Sequence, residues 1–229
     1  GMDKDVMKRL LRDAGLPIGK FIVIHKHEKT TPFPRLKKEL GLPLFIKPAN
    51  LGSSVGVSRV EEKKEYEPAI TEAFHYDNKV IIEECISGRE IECSVLGNEN
   101  PIASVPGEVI TDKTHHQFYS YEAKYLDEHG AKLAIPAKLS KKQTKEVQEM
   151  AIRVFKTLCC EGMGRVDFFL RDNGSLVVNE INTIPGFTSI SMYPKLWEAS
   201  GISYQKLVDT LIQLAIERFK KEQKLLTSK

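Results

Sequence analysis

Apolar and polar positions along the chain alternate between short strand-like runs and longer stretches of helical spacing. Val6, Met7, Leu10, Leu11 and Ala14 predict a first helix that buries them on one face, with Asp3 as its cap and Gly15 as its stop. Residues 20–24 read as a strand, 35–40 as a short helix ending at Gly41, and 44–48 as a strand halted by its own proline. A helix starting near Glu61 and a buried strand over 79–84 complete a small α+β unit, and Ile86-Ser87-Gly88 reads as a hinge. Beyond it, residues 90–96 and 102–105 predict strands, while 106–136 show no sustained period. Ser140 caps a helix with Val147, Met150, Ala151, Val154 and Leu158 at helical spacing, and a last helix covers 203–219.

The most informative pattern is a hairpin. Two alternating runs, 164–170 and 175–182, flank Arg171-Asp172-Asn173-Gly174, and Asn-Gly is a strong signal for a two-residue turn. Counting back from Asp172 opposite Ser175 sets Asp167 opposite Glu180 and Arg165 opposite Asn182, all four on one face. Opposed carboxylates repel. Two readings are open at this point, a divalent cation held by Asp167, Glu180 and Asn182, or a solvated polar face.

Composition narrows the class without choosing the chemistry. The 229 residues are 41% hydrophobic and 28% charged, as in an ordinary globular protein large enough for two small units. A net charge of +3, with both signs interspersed, argues against nucleic acid, and no long apolar run argues for a membrane. Cys85, Cys93, Cys159 and Cys160 lack metal-ligand spacing, so reduced thiols and a cytoplasmic location are expected. Gly1 ahead of Met2 reads as a remnant of proteolytic cleavage.

Lys47, at the end of a strand, precedes a loop containing Gly52, Ser53, Ser54 and Gly56, a combination of ammonium, hydroxyls and free amides suited to polyphosphate. The same loop also reads as a plain hairpin connection. Glu83 and Glu84, on a strand entering the hinge, with Glu90 a few residues later, suit an adenosine site or a solvated edge. The Pro185-Gly186 turn offers an amide to a developing oxyanion, or is only a turn.

These segments occur in an order that resembles the D-alanine–D-alanine ligases: Lys47-Pro48 with 52–56, Glu83 with Ser87-Gly88-x-Glu90, 118–125, Gly164-Arg165-Val166-Asp167, and 179–189. The resemblance covers nearly the whole chain and implies the ATP-grasp fold, two α+β subdomains with nucleotide bound between them. It implies a small subdomain over 2–84, a second over 85–220 carrying the metal and catalytic residues, and a basic tail over 221–229. It also implies ATP-dependent ligation of two D-alanines through an acylphosphate, for peptidoglycan precursors. Lys4, Lys47 and Lys124 would hold phosphates, Glu83, Glu84, Ile86 and Phe169 the nucleotide, and Glu90 the ribose. Asp167, Glu180 and Asn182 would hold two Mg²⁺ (or Mn²⁺) ions, and Arg165 and the Gly186 amide the oxyanion. Ser191 would take the second substrate's carboxylate, with Ser53 and Tyr125 in lids that close over the reactants. The intact Tyr121-Glu122-Ala123-Lys124-Tyr125 run favours D-alanine over a D-hydroxy acid acceptor. The family has a further N-terminal domain ahead of Lys4, so the chain is expected to be a fragment that binds Mg-ATP but ligates poorly. A homodimer is implied for the full-length enzyme. A ligase with another acceptor, and a non-catalytic nucleotide-binding module, are the competing readings.

Overall fold

The computed structural model describes residues 2–111 and 131–226. Residues 118–125, the candidates Lys124 and Tyr125 among them, lie outside the described residues. The described chain forms two compact units, one from residues 1–89, 109–132 and 169–180, the other from 90–108, 133–168 and 181–229.

In the first unit, α1 (Lys4–Asp13) starts at Asp3, whose carboxylate accepts from the Asp5 and Val6 amides as the sequence predicted. Its buried face differs from the expected one. Lys4, Met7, Lys8 and Leu11 point inward at a spacing of three and four, while Val6 and Leu10 are about half exposed. The apolar count shifted the stripe because two of the inward positions are lysines. Lys79 ties the start of α1 to the sheet through Asp3 at 2.5 Å and Asp5 at 3.3 Å.

The sheet of this unit holds β1 (Phe21–His25), β2 (Leu44–Pro48), β3 (Ser58–Val60) and β4 (Lys79–Glu84) in the antiparallel order β1-β4-β2-β3. Leu44, Ile46, Val80 and Ile82 are fully buried on the face covered by α2 (Phe33–Leu40) and α3 (Lys63–Tyr76), against Leu36, Tyr66, Ile70 and Ala73. Burying a side chain of this size contributes roughly 1.5–3 kcal/mol, so this apolar layer is the main support of the unit. Alternation sends Lys47 and Ile81, which are paired in register, to the opposite face from Ile46 and Ile82.

A six-stranded sheet comprises β5 (Arg89–Gly97), β6 (Ile102–Ala103), β7 (Gly107–Thr111), β8 (Ala131–Ala134), β9 (Gly162–Leu170) and β10 (Leu176–Asn182). Its order is β10-β9-β5-β7-β8, with β6 beside β5. Strands β7 and β8 lie in the region that showed no period in the sequence.

The second unit adds α4 (Lys141–Thr157), α5 (Met192–Ala199) and α6 (Tyr204–Glu222). Ser140 caps α4 in a capping box with Gln143, and Val147, Ala151, Val154 and Phe155 are buried. Helix α5 was absent from the sequence reading. Eight residues with a proline, five of them buried, leave no polar face to reveal a period. Tyr193 and Trp197 from α5 form a core with Leu96 and Leu207, and the Tyr193 hydroxyl donates to the Val95 carbonyl at 3.0 Å.

The hairpin between β9 and β10 turns differently from the count. The Arg171 N–H donates to the Ser175 carbonyl at 2.9 Å, and the Gly174 N–H donates to the Arg171 carbonyl at 2.8 Å. Arg171 rather than Asp172 therefore faces Ser175, and the loop has three residues, with Gly174 at φ 83° in its left-handed position. Asn173 stabilises the longer loop by accepting from the Ser175 N–H at 3.0 Å, a local bond that the Asn-Gly pair did not foretell.

Gly88 sits where the chain leaves the first sheet, and a Cβ there would lie 2.6 Å from the Leu170 carbonyl oxygen. Backbone cannot yield as a side-chain tip can. Gly88→Ala is expected to lower stability by about 1–3 kcal/mol, read as a reduced urea midpoint with an unchanged slope.

Candidate functional site

The first unit gathers five charged side chains. Lys4 and Lys8 come from successive turns of α1, Lys47 from β2, Glu83 from β4 and Glu180 from β10. Glu83 is 5% exposed and carries an ammonium on each oxygen, Lys8 at 2.8 Å on Oε1 and Lys47 on Oε2. Lys4 donates to the Leu51 carbonyl at 2.5 Å and lies 3.6 Å from Glu180. Burial alone would raise the Glu83 carboxyl, yet Lys47 and Lys8 together hold it down at about 2. Burial acts to lower Lys47, but Glu83 and Glu180 outweigh it and raise the ammonium above its ordinary range. Lys4 moves the other way, depressed by burial and by Lys47 despite the pull of Glu180 and Glu83.

Beside these residues the loop after β2 is folded into successive turns. Ser53 at φ 53° and Ser54 at φ 59° occupy left-handed conformations, which cost a non-glycine residue roughly 1–2 kcal/mol each. Gly56 is obligatory here, at φ 68° and with a Cβ position 2.7 Å from the Tyr76 ring and 2.9 Å from the Pro48 ring. This is the glycine-serine loop that the sequence singled out.

Glu84 and Ile86 stand near the end of the same unit's sheet. Glu84 accepts from the Lys20 N–H at 2.9 Å and pairs with Arg171 at 3.7 Å, so much of its carboxylate is used structurally. Ile86 is half-buried against Gly19, and Phe169 is half-buried on β9. Glu90 begins the second unit, on the same face of β5 as Glu92.

The second unit holds the other cluster. The Arg165 guanidinium forks onto Asp167 through two bonds of 2.7 Å, and its Nε also lies 2.8 Å from Glu92. The Asn182 amide donates to Asp167 at 2.9 Å. Asp167 and Asn182 therefore share a face although the turn shifts the register by one, an offset that alone would reverse the strand. Alternation in β10 breaks between them and the turn, with Leu176, Val177 and Val178 buried in succession and Asn179 and Glu180 both half-buried. The break restores the face. Glu92 was missed, although its spacing of two from Glu90 was the available signal; Lys8 was missed too, at spacing four from Lys4.

Among the described residues no group of three or more His, Cys, Asp or Glu side chains is assembled for a metal. The candidate set is two carboxylates and an amide, a hard oxygen set that suits Mg²⁺. Asn182 commits its nitrogen to Asp167, leaving its carbonyl oxygen as a donor, and the guanidinium on Asp167 marks a position that favours positive charge. Within the second unit, the oxygen donors of Asp167 and Asn182 have the chemistry that suits the ion.

In the loop after β10, the Thr188 N–H donates to the Ser191 hydroxyl at 3.0 Å, and the Ser191 N–H donates to the Thr188 carbonyl at 3.0 Å. Gly186 lies against that hydroxyl, 2.8 Å from its Cβ position, so Gly186 and Ser191 are brought together.

The model of the D-Ala–D-Ala ligase C-terminus matches residues 10–213. The chain belongs to this ligase family. A D-alanine–D-alanine ligase of Oceanobacillus iheyensis is 56% identical over all 229 residues, and the chain spans 62% of that protein's length. Among solved structures, the VanG D-Ala:D-Ser ligase of Enterococcus faecalis aligns with a TM-score of 0.83 at 38% identity, over 93% of this chain and 61% of that one. A Bacillus anthracis D-alanine–D-alanine ligase complexed with ATP aligns with a TM-score of 0.80 at 29% identity, over 96% and 68%. The fold is that of the ATP-grasp ligases, as the ordered motifs implied. All four cysteines are free thiols, and Cys93 is buried with its thiol pushed up to about 12. Among the described residues no helix is long and apolar enough to cross a membrane.

Proposed function

We propose that the protein is the ATP-binding and catalytic part of a D-alanine–D-alanine ligase, joining two D-alanines for peptidoglycan precursors. The observation that carries this reading is the buried lysine pair Lys4 and Lys47 beside a turn-rich glycine-serine loop, within a chain of this ligase family. Supporting it, an ATP complex is known for the Bacillus anthracis relative.

In this reading Lys4 and Lys47 hold the triphosphate, joined by Lys124, and Glu83, Glu84, Ile86 and Phe169 line the nucleotide pocket with Glu90 on the ribose. Asp167, Glu180 and Asn182 would hold Mg²⁺, which would supply neutralising charge for the transferring phosphoryl group. The γ-phosphoryl passes to the carboxylate of the first D-alanine, leaving ADP and an acylphosphate. The amine of the second D-alanine then attacks the acyl carbon, and phosphate leaves. Arg165 and the Gly186 amide stabilise the oxyanion of that tetrahedral intermediate, and Ser191 orients the second substrate's carboxylate. Ser53 and Tyr125 help to keep out water, which would hydrolyse the acylphosphate. The subdomain limits 2–84 and 85–220 with a basic tail, the dimeric full-length enzyme and the cytoplasmic location belong to the same proposal.

A second acceptor is favoured by one observation, the similarity to a D-Ala:D-Ser ligase. Phosphate release by the full-length protein, measured with ATP, Mg²⁺ and a panel of D-amino and D-hydroxy acids, tests both readings. Release stimulated by D-alanine alone is expected. Stimulation that requires D-serine or D-lactate moves the assignment to another acceptor, and ATP turnover indifferent to every acceptor overturns it.

A further inference from the structure

Lys8 has no part in the mechanism above, yet it is among the most buried charges in the chain, at 2% exposure. An isolated lysine is rarely kept in such a place, because removing an ammonium from water is strongly unfavourable unless it is paired. Its Nζ lies 2.8 Å from Glu83 Oε1 and 6.0 Å from the centre of the Phe21 ring, so a carboxylate and an aromatic face surround it. The other oxygen of Glu83 takes Lys47. One carboxylate thus serves two ammonium groups.

Charge counting shows what this achieves. On Glu83 two ammonium groups, Lys8 and Lys47, share one carboxylate. The surplus on that carboxylate is one positive charge. Without Lys8 the count is one against one, and Lys47 becomes the sole ammonium on a buried carboxylate. An ammonium bound in a neutral pair has little attraction left for an incoming phosphate. With Lys8 in place, Glu83 stays neutralised when Lys47 turns to an anion.

We propose that Lys8 is a positioning residue of the nucleotide site, neutralising Glu83 so that Lys47 is available to phosphate. The inference rests on the ATP-site reading above. It makes Lys8 a determinant of phosphate affinity from a position that touches no phosphate, and it assigns Glu83 the work of aligning two lysines.

The test compares ATP with adenosine by calorimetric titration of the wild type, Lys8→Met, Lys8→Arg and the double variant Lys8→Met/Glu83→Gln. Lys8→Met is expected to weaken ATP binding about tenfold while adenosine changes less than about twofold. Lys8→Arg keeps the charge and is expected to hold the ATP-to-adenosine affinity ratio within about threefold of wild type. In the double variant no carboxylate holds Lys47, so the ratio is expected to recover from its Lys8→Met value whatever Glu83→Gln costs both ligands alike. An equal loss for ATP and adenosine in Lys8→Met means a purely structural lysine and overturns the proposal. So does an unchanged ratio in Lys8→Met, or a lost one in the double variant. Should Lys8→Met fail to fold, the double variant and Lys8→Arg decide, since a collapsed ratio in either refutes the charge count. A wild type that binds adenosine or ATP in neither case refutes the nucleotide reading itself, and this inference with it.

Discussion

Arg165→Ala in the full-length protein is expected to lower the turnover number about a hundred- to a thousandfold, while the ATP concentration for half-maximal rate changes little. The guanidinium is held from two sides, by two hydrogen bonds to Asp167 and by Glu92 at 2.8 Å, so its position is fixed before any substrate arrives. A donor fixed in advance stabilises charge that develops only in the transition state, and its loss falls on the chemical step. The substitution also strips Asp167 of its bidentate partner. Steady-state phosphate release with D-alanine, alongside nucleotide binding to the resting protein, separates the two effects. Full activity in Arg165→Ala would remove the oxyanion role and favour a nucleotide-binding module without catalysis.

The sequence revealed those elements in which one local signal governs one local outcome. Ser140 with Gln143 makes the capping box of α4, Asp3 caps α1, and the proline after Lys47 ends β2. It failed where the deciding partner is remote in the chain. The inward face of α1 depends on Glu83, which makes Lys8 an interior residue and turns Val6 outward. Helix α5 depends on packing against Leu96 and Leu207, not on its own period. At the hairpin, the Asn-Gly pair announced a turn correctly but not its length. Side-chain capping by Asn173 supports a three-residue loop, and the alternation of β10 then breaks before Asn182 rejoins Asp167. Counting along a strand is therefore a weaker guide to a site than the face its residues finally share. Of the candidate residues, Lys47 and Glu83, which pair directly, and Lys4, which pairs with Glu180, have partners that the sequence could not name.

Glu83→Gln is expected to destabilise the first unit by about 3–5 kcal/mol, the typical consequence of removing one partner from a buried ion pair. The amide keeps the shape but not the charge, so Lys8 and Lys47 lose the carboxylate that they share. The same carboxylate dictates a dependence on acid. Its folded value of about 2 lies below the ordinary 4.5, so the unfolded chain binds the proton more readily. Its contribution is therefore complete above about pH 4.5 and is lost as pH falls through about 2, a change of roughly 3 kcal/mol. Urea unfolding of wild type between pH 6 and 3 should show falling stability, and the fall should be distinctly shallower in Glu83→Gln, which has no such proton to gain. Parallel pH profiles for the two proteins would mean that Glu83 is not held ionised by its lysines, and the charge balance built on it would fail.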